Sequence, residues 1–128
     1  IHADQGSRDF MEHLKVAENA HLKYRMDLEL NTIHEIGRRL AKNMSLSDLK
    51  EYRLRIAEFL KMCISQGFCF KEEKFPARYG RSKILSIVKT VNQKLIDLAE
   101  ELLSENRDSL KVMALVDEIR GLLLDLYA

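Results

Sequence analysis

Four segments of the chain repeat apolar residues every three or four positions, the spacing that places them on one face of an α-helix. In the first segment this stripe comprises Met26, Leu30, Ile33, Gly37, Leu40 and Met44, continued upstream by Phe10, Leu14, Ala17 and His21. Ser7 is a suitable N-cap for such a helix. We therefore predict a disordered tail over residues 1–7, followed by one long helix over residues 8–44. A helix that bends at Gly37 is the alternative to a straight one.

Three shorter helices are predicted downstream of the first. A serine of Ser45-Leu46-Ser47-Asp48 is the expected N-cap of the second helix, Gln66-Gly67 its end, and Asp108 or Ser109 the cap of the fourth. Their apolar stripes are Leu49, Tyr52, Ile56, Phe59, Leu60 and Cys63; then Ile84, Val88, Val91, Leu95, Leu98 and Leu102; and finally Val112, Val116, Ile119, Leu123 and Leu126. Two short turns and one longer connection predict an all-α antiparallel four-helix bundle with a long first helix, as a single domain over residues 8–128.

The first helix is predicted to be much longer than its neighbours. At about 1.5 Å per residue, it would run past the end of the second helix, so that residues 8–22 project beyond the bundle. The projecting part carries apolar side chains at Phe10, Met11, Leu14 and Leu22. A contiguous apolar patch of this kind needs a cover. We expect one of three arrangements: the 67–80 connection folds over the patch, a second chain pairs with it in a homodimer, or the helix breaks.

Composition excludes several classes of protein. The 128 residues are 46% hydrophobic and 32% charged, with a net charge of +1, which fits a folded domain and no polyanionic partner for the whole molecule. No apolar run is long enough to span a membrane, and the first residues lack the apolar core of a secretion signal. With two cysteines that match no known metal or redox spacing, we expect a cytoplasmic protein without a disulfide.

Catalytic and metal motifs are missing from the sequence. One Glu-x-x-His pair, Glu18 and His21, has the spacing of di-metal bundle ligands, but all four histidines lie in the first segment. His34 is expected to be partly buried and hydrogen-bonded at the edge of the core. No serine or cysteine lies near a histidine in a pattern typical of nucleophilic catalysis. We therefore expect no enzymatic activity, no metal and no cofactor.

One segment combines positive charge with aromatic rings. Residues 67–83 contain five basic side chains, at Lys71, Lys74, Arg78, Arg81 and Lys83, against two acidic ones, and four of the nine aromatic residues. Rings that pack on the end of the bundle explain this pattern, and we take this as the first interpretation. Binding of nucleic acid or another anion through these cations is the alternative.

Gly121 lies in the middle of the fourth helix, where a glycine costs roughly 1 kcal/mol relative to alanine. A close approach of another helix would explain it. The apolar run around it is wider than one stripe, which predicts that this helix is centrally buried or contacts a partner.

Particular residues also resemble a known family, the YaaR family of small uncharacterised bacterial proteins. They are Ile36-Gly37-Arg38-Arg39-Leu40, Ser47-Asp48-Leu49-Lys50-Glu51-Tyr52, Phe59-Leu60, Gly80-Arg81-Ser82-Lys83-Ile84, Lys94-Leu95 and Ile119-Arg120-Gly121-Leu122-Leu123-Leu124-Asp125-Leu126-Tyr127. The resemblance runs from about residue 22 to the last residues, and it implies a helical bundle in the bacterial cytoplasm. It implies no catalytic residue or cofactor. Our expectation is a protein-interaction module that associates with itself or with another protein.

Overall fold

The computed structural model describes residues 2–65 and 77–127, with side chains for residues 6–65 and 80–127. The described residues form four helices: α1 (His2–Asn43), α2 (Leu46–Ser65), α3 (Ala77–Leu103) and α4 (Ser109–Tyr127). The predicted all-α four-helix bundle is therefore confirmed. In the part of the chain that the structure describes, no helix is both long enough and apolar enough to cross a membrane.

Each helix packs against its neighbour in the chain, and α4 closes the bundle by packing back against α1. Because the turns after α1 and α3 are short, successive helices run antiparallel and both turns lie at one end. The end of α2, the start of α3 and the end of α4 lie at the opposite end. This second end is where α1 enters the bundle.

The predicted apolar stripes form the core. All six stripe residues of α2 are buried, as are those of α4, where Tyr127 is buried as well. On α3 the last four stripe residues are buried, whereas Ile84 and Val88 are partly buried and Ile87 is buried in addition. No polar or charged side chain is buried among the described residues. The bundle is therefore held together mainly by apolar packing.

The start of α1 differs from the prediction. The helix begins at His2, six residues before the predicted start at residue 8, so residues 2–7 are helical where the sequence predicts a disordered tail. Ser7 lies inside the helix and is not its N-cap. Serine favours a cap but is tolerated within helices, so a cap preference alone did not define this boundary.

The predicted caps of α2 and α4 are present. The Ser45 hydroxyl accepts a hydrogen bond from the backbone N–H of Asp48 at 3.4 Å, which confirms Ser45 as the N-cap of α2. At the start of α4, the Asp108 carboxylate accepts a hydrogen bond from the Leu110 N–H at 2.9 Å. Of the two predicted alternatives for α4, Asp108 is therefore the cap. Gln66-Gly67, the predicted end of α2, lies outside the described residues.

The glycine at a close helix contact is Gly37 and not Gly121. A Cβ added at Gly121 would have no atom within 4 Å, and Gly121 is exposed. At Gly37 the same atom would lie 2.8 Å from Val116 Cγ1 and 3.2 Å from Tyr52 Cε1. The prediction of a close approach at Gly121 is therefore wrong. The expected central burial of α4 is also not observed, because Leu124 beside it is exposed.

Ion pairs connect neighbouring helices at the surface. Arg39 of α1 bridges two carboxylates of α2, those of Asp48 at 2.9 Å and Glu51 at 2.7 Å. Arg55 of α2 pairs with Glu29 of α1 at 3.2 Å. Surface pairs of this kind contribute little to stability.

Candidate functional site

The longest helix projects beyond the bundle, as predicted. α1 has 42 residues and its partner α2 has 20. Side chains from Gly6 to His21 are all exposed, and the first buried residue is Met26. We call residues 6–22 the α1 extension; it is about 25 Å long at 1.5 Å per residue. No described helix packs against residues 6–21, and the helix does not break there. The 67–80 connection, the alternative cover, lies outside the described residues up to residue 76.

Two apolar faces follow each other along α1. Residues of the bundle face are buried: Met26, Leu30, Ile33, Gly37 and Leu40. The second face begins in the extension, follows alternating steps of four and three residues, and comprises Phe10, Leu14, Ala17, His21, Tyr24 and Leu28. We call it the outer stripe. Going from His21 to Met26 is a step of five residues, which turns about 140° around a helix.

The outer stripe therefore does not continue into the core. The expectation that Phe10, Leu14, Ala17 and His21 extend the core stripe is wrong. The outer stripe continues instead through Tyr24 to Leu28, on the side of α1 that faces away from the bundle. All six of its side chains are exposed.

The predicted self-association residues do not share one face. Phe10, which is 67% exposed, and Leu14 lie on the outer stripe. Met11 is exposed beside Phe10, at the edge of the stripe. Leu22 is half-buried and lies about 80° from Leu14 around the helix, outside the stripe. The prediction included neither Tyr24, which is 62% exposed, nor Leu28. Continuing the alternating spacing past His21 would have found both.

The last residue of α4 fixes the base of the α1 extension. The Tyr127 hydroxyl donates a hydrogen bond to Asp27 Oδ1 at 2.7 Å, and it lies 3.2 Å from the Lys23 carbonyl oxygen. Its ring packs edge-on against Phe59, with centroids 5.7 Å apart. Burial, and then the bond to Asp27, raises the pKa of Tyr127, so the phenol stays protonated and remains a donor. The extension thus starts from a fixed point on α1.

The basic residues predicted as an alternative site are only partly described. Lys71 and Lys74 lie outside the described residues, and Arg78 lies in the first turn of α3, where its side chain is not described. Arg81 is exposed and Lys83 is half-buried. Because Arg81 and Lys83 are two residues apart on a helix, their side chains point to different sides of α3. Nucleic-acid or anion binding by this segment stays a prediction.

A small cavity lies where α1, α2 and α4 meet, and the sequence did not reveal it. Its volume is about 30 Å³. The residues that line it are His34, Arg38, Tyr52, Val116, Asp117 and Arg120. His34 is half-buried, as expected, but no described group forms a hydrogen bond with its ring. The predicted hydrogen bond of His34 is therefore absent from the described structure.

No metal centre emerges from the described ranges. Within residues 2–65 and 77–127, no three histidine, cysteine, aspartate or glutamate side chains are arranged to hold an ion. Glu18 and His21, the one pair with suitable spacing, lie on the exposed α1 extension.

Fold and surface together define a small all-α bundle protein whose first helix extends past the bundle with an exposed apolar stripe. Residues 2–127 match the family described as "Protein of unknown function (DUF327)". The chain belongs to the DUF327 family. This match includes the α1 extension, which the resemblance seen in the sequence did not reach.

Relatives agree with the resemblance to the YaaR family, which is confirmed. Over 98 residues the chain is 32% identical to the "Uncharacterized protein YaaR" of Bacillus subtilis (strain 168), covering 77% of this chain and 67% of that protein. The crystal structure of protein TM1646 from Thermotoga maritima has a TM-score of 0.79 at 28% identity, covering 92% of this chain and 97% of that one. That of uncharacterized protein BH1478 from Bacillus halodurans has a TM-score of 0.78 at 27% identity, covering 91% and 96%.

Proposed function

We propose that this protein is a non-enzymatic interaction module that forms a homodimer through the outer stripe of α1. The observation that carries the proposal is the exposure of an apolar stripe along a helix that extends beyond its own bundle. The stripe lies on a projecting rod and not in a cleft, where groups for acid–base catalysis would converge. We also propose a bacterial, cytoplasmic location, which the bacterial relatives support.

The spacing of the outer stripe favours another helix as its partner. Alternating steps of four and three residues, continued for six positions, are the a and d pattern of a two-stranded coiled coil. In such a pair each apolar side chain inserts between side chains of the facing helix. A second copy of α1 carries the same pattern over the same length, so the stripe is complementary to itself.

Helix stability gives the second copy a physical role. Most helices in proteins are stabilised by packing an apolar face. Residues 6–21 pack no face against the described part of the bundle. Pairing with a second copy would supply the missing contacts and stabilise the α1 extension.

The apolar area on the stripe is enough for a modest interface. Phe10 and Tyr24 are each about two-thirds exposed, and a buried aromatic ring covers about 150–250 Å². Four such rings in a dimer would bury roughly 400–600 Å², and the Leu14 and Leu28 side chains bring the total close to the roughly 1,000 Å² of a specific interface. Ala17 and His21 interrupt the apolar contacts, so we expect a dimer in the micromolar range of about 1–100 µM.

The test compares two glutamate substitutions on the same helix. Leu14→Glu places a charge on the outer stripe, whereas Val16→Glu places it about 200° away around the helix. Both positions are exposed, Leu14 at 46% and Val16 at 67%, so neither change disturbs the bundle core. Size-exclusion chromatography with light scattering, over a range of protein concentrations, measures the molar mass of each variant.

We expect the wild-type protein and Val16→Glu to approach twice 14.9 kDa as the concentration rises, and Leu14→Glu to remain at 14.9 kDa. A wild-type mass of 14.9 kDa throughout would refute self-association. Dimerisation of Leu14→Glu with the same affinity as the wild type would show that the outer stripe is not the contact.

A further inference from the structure

The cavity between α1, α2 and α4 brings polar side chains from three helices to one point. His34 and Arg38 come from α1, Tyr52 from α2, and Asp117 and Arg120 from α4. Its volume of about 30 Å³ is close to that of one water molecule. The two arginines are exposed, so a larger group would lie at the mouth of the cavity and reach in with one atom.

Tyr52 is buried, yet its hydroxyl has no partner. The residue is 1% exposed, and its ring passes Gly37 so closely that an added Cβ would lie 3.2 Å from Tyr52 Cε1. No described group forms a hydrogen bond with the hydroxyl. Among the described residues, every side-chain nitrogen or oxygen atom that is fully buried has a hydrogen-bond partner. The hydroxyl must therefore reach accessible space, and the cavity that Tyr52 lines provides it.

The positive charges around the cavity are not neutralised by ion pairs. Arg38 and Arg120 form no salt bridge with any described residue, whereas Arg39 and Arg55 of the same bundle each pair with a carboxylate. Among the described residues, Asp117 is the only acidic side chain that lines the cavity, and no basic group of theirs lies within 4.0 Å of its carboxylate. Two guanidinium groups beside one carboxylate leave a positive site.

Burial and the nearby positive charges both act on the pKa of His34. Burial lowers the pKa of His34, and the charges of Arg120 and then Arg38 lower it further. The charged or titratable residues that line the cavity with His34 are Arg38 on its own helix, Tyr52 on α2, and Asp117 and Arg120 on α4. An anion bound among these groups would offset the two guanidinium charges and favour the protonated ring.

We propose that this cavity binds a phosphate oxyanion, held by Arg38 and Arg120 at the mouth and by the hydroxyl of Tyr52 inside. Guanidinium groups match the geometry of phosphate oxygens, and the Tyr52 hydroxyl supplies a hydrogen-bond donor from within the cavity. Asp117 repels a fully deprotonated anion but accepts a hydrogen bond from a phosphate that keeps one proton. The site therefore favours hydrogen phosphate over sulfate, which has no proton at neutral pH.

His34 provides the measurement, because its ring reports the charge at the site. The protein is titrated with acid in chloride, in phosphate and in sulfate at one ionic strength, and the four histidine rings are followed by NMR. His34→Gln assigns the His34 signal. We expect phosphate to raise the titration midpoint of His34 by about half a pH unit or more, with a smaller effect of sulfate and no selective effect on the other three histidines.

Three variants test the assignment. We expect Arg38→Gln combined with Arg120→Gln to abolish the phosphate effect, and Asp117→Asn to remove the preference for phosphate over sulfate. Arg53→Gln removes an exposed arginine of α2 that does not line the cavity, and should leave the effect unchanged. Circular dichroism confirms that each variant folds.

Three results would overturn the proposal. One is a His34 midpoint that does not change with phosphate. The second is an equal effect of phosphate on all four histidines. The third is a phosphate effect that survives in the variant without both arginines. None of these outcomes depends on dimerisation, because the cavity residues lie outside the outer stripe.

Discussion

Gly37 is the position where the packing of α1 against two other helices is most sensitive to one methyl group. In Gly37→Ala the new Cβ would lie 2.8 Å from Val116 Cγ1 and 3.2 Å from Tyr52 Cε1. Val116 has a β-branched side chain that strongly prefers one rotamer in a helix, and the Tyr52 ring is rigid and buried. Neither neighbour can move aside without disturbing the core.

The expected magnitude follows from two opposing terms. Overpacking a core by one methyl group costs about 1–3 kcal/mol, while replacing a helical glycine by alanine gains about 1 kcal/mol. We therefore expect Gly37→Ala to lower the free energy of unfolding by up to about 2 kcal/mol. Gly121→Ala is the matched control: with no atom within 4 Å of its Cβ, it should raise the free energy of unfolding by up to about 1 kcal/mol.

Urea denaturation followed by circular dichroism measures both variants at one protein concentration. If Gly37→Ala proved as stable as Gly121→Ala, or more stable than the wild type, the close contact of α1 with Val116 and Tyr52 would be refuted. A change in the slope of the free energy of unfolding against urea would indicate altered compactness of the denatured or native state, or unfolding that is no longer two-state.

Three further changes test local features by the same denaturation assay. Tyr127→Phe removes the hydrogen bond to Asp27 and should lower the free energy of unfolding by about 1 kcal/mol; no loss would contradict a role in fixing α1. Ser45→Ala removes the cap of α2 and should also cost about 1 kcal/mol; an unchanged midpoint would contradict the cap. Because the pKa of His34 is lowered from 6.5 in the folded protein, stability should fall as the pH drops below about 6.5, where the unfolded chain binds the proton more readily. Measured in chloride, His34→Gln should lose this part of the pH dependence. If its free energy of unfolding fell with pH as steeply as that of the wild type, the assignment to His34 would be contradicted.

The sequence predicted well those helices that pack only one face. Every stripe residue of α2 is buried, because a short helix on the edge of a bundle has one apolar side and its periodicity is unambiguous. Ser45 also forms its predicted cap, since a cap is a local interaction between residues close in sequence.

α1 shows where periodicity fails. Its two apolar faces each follow helical spacing, and the five-residue step between His21 and Met26 joins them into what reads as one stripe. The four-and-three spacing continues past His21 to Tyr24 and Leu28, and the position of the bundle shows that Met26 lies on the other face. The sequence therefore predicted that α1 projects, but not which side of the projection is apolar.

The glycines and the cavity show a second limit. Nothing local distinguishes Gly37 from Gly121, because a close contact depends on the neighbouring helix and not on the glycine. The cavity combines side chains of three helices, from His34 to Arg120, which no spacing within one helix reveals.

Hydrogen–deuterium exchange at increasing protein concentration tests most directly whether the outer stripe pairs with a second copy. Amides of residues 6–21 should exchange rapidly in dilute protein, because this part of α1 has no packed face. Their protection should rise as the protein is concentrated, while that of the buried α2 residues Leu49–Cys63 stays constant. Protection of residues 6–21 that is the same at every concentration would contradict dimerisation through α1.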